Sequence, residues 1–494
     1  MSIYSSILNA LQWLSQEFGL STMRKTGKDV YLIILARYLR LFAYGAVALI
    51  LALFFQEQGF SDEQIGAFMT LTLLGDVVIS LLLTLVADAL GRRRTLLLGA
   101  LSMAISGAVF ATTSNYLALL LAAIVGVISP TGNEIGPFRA IEESTLAHLV
   151  DEKERADVYT WYVVLAVLGT STGLAVGGVA VDRLLAREGW TALDAYRAIF
   201  WIYTAVGCVK ALMALSMSQR CEQHGKIDKN NDARASDETE PLLANADVPT
   251  QEEEPAKPEK KKRFWHSIST ISKPSRIVLV KLCSLFFLDS LGSGMAPFSL
   301  INYYLDRKFN LPKGKLGGIM SATWFVSTFG NVFSSSLAKR LGLIQAMVFT
   351  HLPSSVFLAL LPVPSGLGPT IFLLVARSVL NSMDQAPRSA FLSIVVLPEE
   401  RTAVMGVVNI LKILSQSSGP SVTGLLAGNN HFWVAFVAAG CLKAVYDVLL
   451  LVFFGGRVES RKHTITEQDE IRQDTDGAIE ESASGERTEV QRSA

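Results

Sequence analysis

Apolar residues run through this chain in windows of roughly 20 or more, the length a helix needs to cross ~30 Å of hydrocarbon. Twelve such windows can be laid out, over 30–55, 64–87, 95–113, 116–138, 158–180 and 196–217 in the first half, and 277–303, 316–337, 342–362, 369–395, 402–427 and 432–455 in the second. They are called spans 1 to 12. The chain thus divides into an N-terminal segment over 1–28, a six-helix unit over 29–217, a polar central loop over 218–275, a second six-helix unit over 276–455 and a tail over 456–494. The central loop has almost no aromatic residue before Phe264 and Trp265 and is expected to be disordered, as is the tail.

The two halves repeat one another. Asp88, Ala89, Leu90, Gly91, Arg92, Arg93 and Arg94 join spans 2 and 3, and Lys339, Arg340, Leu341 and Gly342 occupy the same place between spans 8 and 9. In spans 5 and 11, Leu168, Ser171, Gly173, Val176 and Gly178 align with Leu414, Ser417, Gly419, Val422 and Gly424, and Arg155 falls on Arg401. Likewise Leu39, Arg40 and Gly45 in span 1 lie over Leu288, Asp289 and Gly294 in span 7, and Glu134 and Pro137 lie over Asp384 and Pro387 in spans 4 and 10. A duplicated helical bundle is a mark of secondary transporters. The predicted fold class is all-α integral membrane, with twelve transmembrane helices as two pseudo-symmetric six-helix bundles.

Composition agrees. Half of the residues are hydrophobic and only 18% are charged, with a positive mean hydropathy, which is too apolar for an ordinary soluble protein. The 44 basic and 44 acidic side chains cancel, so no global field would recruit nucleic acid. Basic residues crowd the N-terminus, the turn at 88–94, the central loop and the tail, which places both termini and that loop in the cytosol. Arg183, Arg187, Arg307, Lys308, Lys313 and Lys315 are exceptions on the other side. No signal-peptide core precedes the first span, which must itself direct insertion. Cys208, Cys221, Cys283 and Cys441 are scattered singly and form neither a disulfide framework nor a metal set.

The turn Ala87, Asp88, Gly91, Arg92 and Arg93 resembles the loop between helices 2 and 3 of the major facilitator superfamily, G-x-L-A-D-R-x-G-R-R, although the first Gly and the Arg after Asp are missing. Gly169, Gly173, Gly177 and Gly178 resemble the antiporter motif G-x-x-x-G-P-x-x-G-G of drug/proton antiporters, with Leu174 replacing Pro. The resemblance implies two bundles rocking about a cavity lined by spans 1, 4, 7 and 10. It also implies that Asp88 gates by holding the N-terminus of span 11 near Thr402, while the second copy of the turn, with Lys339 in the acid's place, does not. Small residues at four-residue spacing, including Gly419, Pro420 and Gly424, let helix backbones approach closely in lipid.

Ionisable side chains at bilayer depth cost at least about 2.5–3.5 kcal/mol and need partners or a wet cavity. Arg37, Arg40 and Tyr44 fall on one face of span 1. Asp76 lies in span 2 and Asp289 in span 7, while Glu134 and Asp384 are each followed by Pro and then Arg139 or Arg388. Arg40, with Arg37, offers bidentate donors to an anionic or carbonyl-bearing solute, and desolvated Asp289, Glu134 or Asp384 exchanges protons. The alternative for the same set is fixed salt bridges that set helix register. Lys412 with Gln416, and Lys443 with Asp447, each one turn apart, are expected to satisfy one another or a neighbouring helix. Trp324, Asn331, Tyr159, Trp161 and Tyr162 could line a cavity, but aromatics near a membrane boundary are expected to anchor it.

These features predict a secondary active transporter rather than an enzyme, moving a small solute by alternating access, in its first reading as proton-coupled export of a small organic compound. Proton-coupled uptake or exchange of an anion at Arg40 is the second reading, and a non-transporting receptor or scaffold the third. A membrane enzyme would need a catalytic set at one depth, whereas the six histidines fall almost wholly in loops, tails or helix ends. No Walker-type loop or paired Cys/His set points to ATP, a metal or another cofactor. Glu238, Leu242 and Leu243 have the spacing of an acidic dileucine sorting signal, so the expected partners are a small molecule or ion, protons, the bilayer and a sorting adaptor at the central loop. The membrane is expected to be plasma or vacuolar/lysosomal.

Overall fold

The computed structural model describes residues 20–126, 128–129, 137–151, 154–222, 273–396 and 400–455. Glu134, Glu238, Leu242 and Leu243 lie outside the described residues, as do the side chains of Asp88, Asn331 and Thr402. In the first half the helices are α1 (Leu20–Lys25), α2 (Lys28–Glu57), α3 (Asp62–Leu90), α4 (Arg92–Thr112), α5 (Tyr116–Gly126), α6 (Pro137–Leu149), α7 (Arg155–Leu185) and α8 (Ala192–Ser216). In the second they are α9 (Lys273–Met295), α10 (Phe298–Phe309), α11 (Lys313–Leu341), α12 (Leu343–Leu360), α13 (Leu367–Ser382), α14 (Gln385–Val395) and α15 (Arg401–Gly428), followed by α16 (Phe432–Gly455). Helices satisfy their own backbone groups, the condition for crossing lipid.

Eight described helices are long and apolar enough to cross a membrane on their own, corresponding to spans 1, 2, 3, 5, 6, 7, 9 and 12. Spans 8 and 11 are the 29-residue α11 and the 28-residue α15, as long but more polar. Spans 4, 7 and 10, read from the sequence as continuous, are each divided in two. Span 7 breaks at Ala296 and Pro297, because proline lacks an N–H and pushes the preceding residue out of helical geometry. Pro387 sits in the first turn of α14, where a missing N–H costs nothing, and Pro137 opens α6. The repeated turn has a backbone reason: Gly91 and Gly342 take φ of +87° and +90°, a region that disfavours any side chain.

Within the halves α2 packs along α7, and α9 along α15; between them α7 meets α11, α15 meets α3, and α10 meets α2. The start of α2 and the turns at Gly91 and Gly342 share one end of the bundle, called here the basic end. The extensive contacts between halves lie toward the other end. A Cβ on Gly178 would sit 2.2 Å from the carbonyl O of Lys313, and one on Gly424 would sit 2.5 Å from that of Asp62, so the same repeat position is pressed against the start of the opposite half's helix twice. Two side chains fasten this seam. Asp182 accepts hydrogen bonds from the backbone N–H groups of Lys313 and Gly314, each at 2.8 Å, at the start of α11. Asp62 accepts from Tyr303 at 2.7 Å and pairs with Arg307 at 2.8 Å.

Those contacts also account for several of the misplaced cations. Arg307 is paired with Asp62, Lys313 with Asp306, and Lys308 donates to the carbonyls of Pro362 and Pro364.

Candidate functional site

A polar cavity of about 650 Å³ lies in the second half, walled by α9 to α16 and reached from the first half by Arg139 alone among its lining residues. Ligand sites commonly enclose roughly 300–1,000 Å³. Its walls carry hydroxyls and amides from Ser290, Ser293, Thr323, Ser327, Ser378, Asn381 and Gln416, with Trp324 and Phe298 packed edge to face at 5.5 Å. Trp324 therefore faces the cavity rather than anchoring a boundary.

The charged wall is built around Asp289 of α9. One carboxylate oxygen accepts from Arg388 of α14 and the other from Lys443 of α16, both at 2.7 Å. Arg388 also pairs with Asp384 one turn earlier, and its guanidinium lies over the rings of Tyr446 and Phe286 at 5.4 and 5.7 Å. Behind Asp289, His351 of α12 places Nε2 3.5 Å from Asp289 and Nδ1 2.9 Å from both oxygens of Asp447. Ser355 donates to Asp447 at 3.4 Å. Asp289 and His351 line the cavity, whereas Asp447 does not and is fully buried. An imidazole held between two carboxylates, one facing a wet space and one sealed away, has a nitrogen for each.

Asp289, Asp384 and Arg388 are candidates already in the sequence, and of the two expectations for Lys443 and Asp447, pairing with one another or with a neighbouring helix, the second holds. In the fold these two diverge, Lys443 to Asp289 and Asp447 to His351, because each helix face meets a different neighbour. His351 had been grouped with helix-end and loop histidines, yet it is mid-helix and 1% exposed. Its signal was a histidine inside an apolar window. Arg377, on the cavity wall, was passed over in the same way.

The first half holds a second buried cluster. Arg40 pairs with Glu142 of α6 at 2.8 Å, Tyr162 donates to the same carboxylate oxygen at 2.8 Å, and Arg37 lies 3.8 Å over the Tyr162 ring. Tyr162 is thus a buried partner of span 1, not an interfacial anchor, while Tyr159 donates to the Glu143 carbonyl at 2.6 Å. Glu142 was missed because α6 continues where the sequence pattern suggested a loop. The two halves carry related pairs with the signs exchanged: Arg40 of α2 with Glu142 of α6, and Asp289 of α9 with Arg388 of α14. Arg37, Arg40, Tyr44 and Asp76 do not line the large cavity. Asp76 is 2% exposed, and among the described residues neither of its oxygens nor the Tyr44 hydroxyl has a hydrogen-bond partner.

At the basic end, Arg93 donates to the carbonyls of Ala214, at 3.1 Å, and Leu215, satisfying the last turn of α8 where cations are favoured. Arg92 reaches the Ser144 carbonyl at 3.5 Å, and Arg94 is exposed.

Comparison with known proteins defines the class. The Major Facilitator Superfamily model matches residues 33–270 and 282–486. The chain belongs to that superfamily of membrane transporters. It is 34% identical, over 433 residues, to the uncharacterized membrane protein YJR124C of Saccharomyces cerevisiae (strain ATCC 204508 / S288c), covering 87% of this chain and 94% of that one. Among solved structures it is similar to the nucleoside transporter NupG, with a TM-score of 0.63, 13% identity and coverage of 87% of this chain and 99% of that one. A D-xylose-proton symporter matches with a TM-score of 0.62 at 13% identity, covering 85% and 97%. At such identities these structures share the fold.

Proposed function

We propose that the protein is a proton-coupled secondary transporter in which a small solute occupies the second-half cavity and the proton resides on Asp289, His351 and Asp447. The bridging position of His351 carries this reading. A proton reaching Asp289 from the cavity can pass through the two ring nitrogens to Asp447, and its arrival loosens the hold of Asp289 on Arg388 and Lys443. Those cations sit on α14 and α16, so protonation changes what ties α9 to its neighbours. With the basic end cytosolic, the seam at Asp62 and Asp182 closes the exterior side and the structure is an inward-facing state.

The glycines of α7 are engaged in packing: a Cβ on Gly173 would lie 2.0 Å from the Phe42 carbonyl O, and Gly178 abuts α11. Close helix contact accounts for that motif, so it supports movement of the bundles rather than export in particular. The test uses purified protein in liposomes supplied with a small-molecule metabolite extract, compared between wild type and Asp447→Asn. Uptake driven by a pH gradient should fall at least tenfold in the variant while solute exchange without a gradient continues. Equal loss of both would make Asp447 a structural residue, and unchanged driven uptake would remove it from the proton path.

A further inference from the structure

The cavity's lining holds five cationic side chains, Arg139, Arg377, Arg388, Lys412 and Lys443, against two carboxylates, Asp289 and Asp384. Arg388 and Lys443 are held by those two acids, and Arg139 pairs with Glu143 at 2.7 Å. Arg377 and Lys412 make no ion pair with a described residue. Arg377 is half-buried on α13, where its carbonyl accepts from Ser354 at 3.0 Å, and Lys412 is half-buried on α15 with its ammonium 5.0 Å from the Phe286 ring centroid.

Both cations have an amide one turn further along the same helix face and in the same cavity wall: Asn381 after Arg377, and Gln416 after Lys412. Two helices thus present the same arrangement, a cation followed at four residues by a group that both donates and accepts. Hydroxyls recur at helical spacing on two further walls, Ser290 with Ser293 on α9 and Thr323 with Ser327 on α11. Thr323 and Ser327 give their protons to the Ile319 and Trp324 carbonyls, at 2.8 and 2.7 Å, which leaves their oxygens to accept from a solute.

We infer that the solute is a small organic oxyanion bearing hydroxyl groups, its anionic head held by Arg377 and Lys412 and its hydroxyls by the surrounding amides and serines. Two half-buried cations that make no ion pair among the described residues repel a cationic solute and are under-used by a neutral one, whereas an oxyanion satisfies Arg377 in two directions at once. The acceptor oxygens along α11 have no use for a bare inorganic anion and suit a solute that donates. A carboxylate and a phosphate ester share this chemistry. The inference deepens the transport reading by assigning the substrate class of the same cavity, and it depends on that reading only in calling the ligand a substrate.

The test is ligand-induced protection of the full chain in detergent against thermal unfolding, measured without a proton gradient. The probes are gluconate, glucose 6-phosphate, inorganic phosphate, glucose and tetraethylammonium. Gluconate or glucose 6-phosphate should raise the unfolding temperature of wild type, and which of them does so separates the two headgroups. Arg377→Gln and Lys412→Gln should need at least tenfold more of the same anion while unfolding like wild type without it. Equal protection by glucose or tetraethylammonium, protection by phosphate alone, retention of affinity in both variants, or no protection by any anion would each overturn the assignment. Anion protection without proton flux in liposomes would leave the assignment standing and sink the coupling.

Discussion

The buried charges differ in how far each is committed to a partner. Glu142 holds Arg40 and Tyr162 through the same oxygen and is itself buried, so its neutralisation removes the charge that both of them face. Breaking such a pair costs about 3–5 kcal/mol. Glu142→Gln should therefore lower the thermal midpoint clearly, read by detergent-phase unfolding, and a midpoint within error of wild type would mean that the pair is not formed. Asp76 is the opposite case, since neither oxygen has a hydrogen-bond partner among the described residues. Asp76→Asn, of the same shape, should leave the midpoint nearly unchanged. Asp289, Asp384 and Arg388 were legible in the sequence because charge in an apolar window must be paid for. The pairings of His351, Asp447 and Glu142 were not, because their partners lie 20 to 102 positions away in the chain and only the fold brings them together.

Helices that meet backbone to backbone set the second scale. Gly419 is pressed on α9, where an added Cβ would lie 2.2 Å from the Gly294 carbonyl carbon, whereas Gly318 on α11 has nothing within 4 Å of that position. Gly419→Ala should destabilise by about 1–3 kcal/mol through overpacking. Gly318→Ala should be neutral or stabilise by up to about 1 kcal/mol through helix propensity. Comparable losses from both substitutions in the same unfolding assay would contradict the close packing of α15 on α9. The glycine spacing announced close packing in advance, but not which helices meet. The three broken spans show the limit of reading apolar length alone. A 27-residue window such as 277–303 satisfies the span criterion whether or not Pro297 interrupts it, and prolines inside α12 and α15, at Pro353 and Pro420, leave those helices continuous. The greater polarity of α11 and α15 goes with the groups they give to the cavity wall, Thr323 and Ser327 from one and Lys412 and Gln416 from the other.

For the molecule as a whole, the far-end seam is the contact set that must open if the cavity is to reach the other side. Asp182 binds the N-terminus of α11, an interaction of about 0.3–1 kcal/mol at an exposed helix end, and Asp62 binds Arg307 and Tyr303 across the halves. Asp62→Asn with Asp182→Asn should shift the population toward a state open at that end. Spin-label distances between the starts of α3 and α11 should lengthen, and an unchanged distance distribution would show that other contacts hold the closure. The duplicated architecture was readable because each crossing needs its own apolar run and each repeat kept its turn glycine. The concentration of polar cavity wall in the second half was not, since both halves carry buried charge in similar numbers and only packing decides which face a wet space.

In the proposed mechanism, solute movement through this cavity is tied to proton movement through His351. Liposomes containing the purified chain and a trapped pH-sensitive dye test it most directly, with gluconate or glucose 6-phosphate added outside at equal pH. Wild type should show a solute-dependent change of internal pH that is lost in His351→Gln. Solute entry with no change of internal pH, or an undiminished change in His351→Gln, would contradict it.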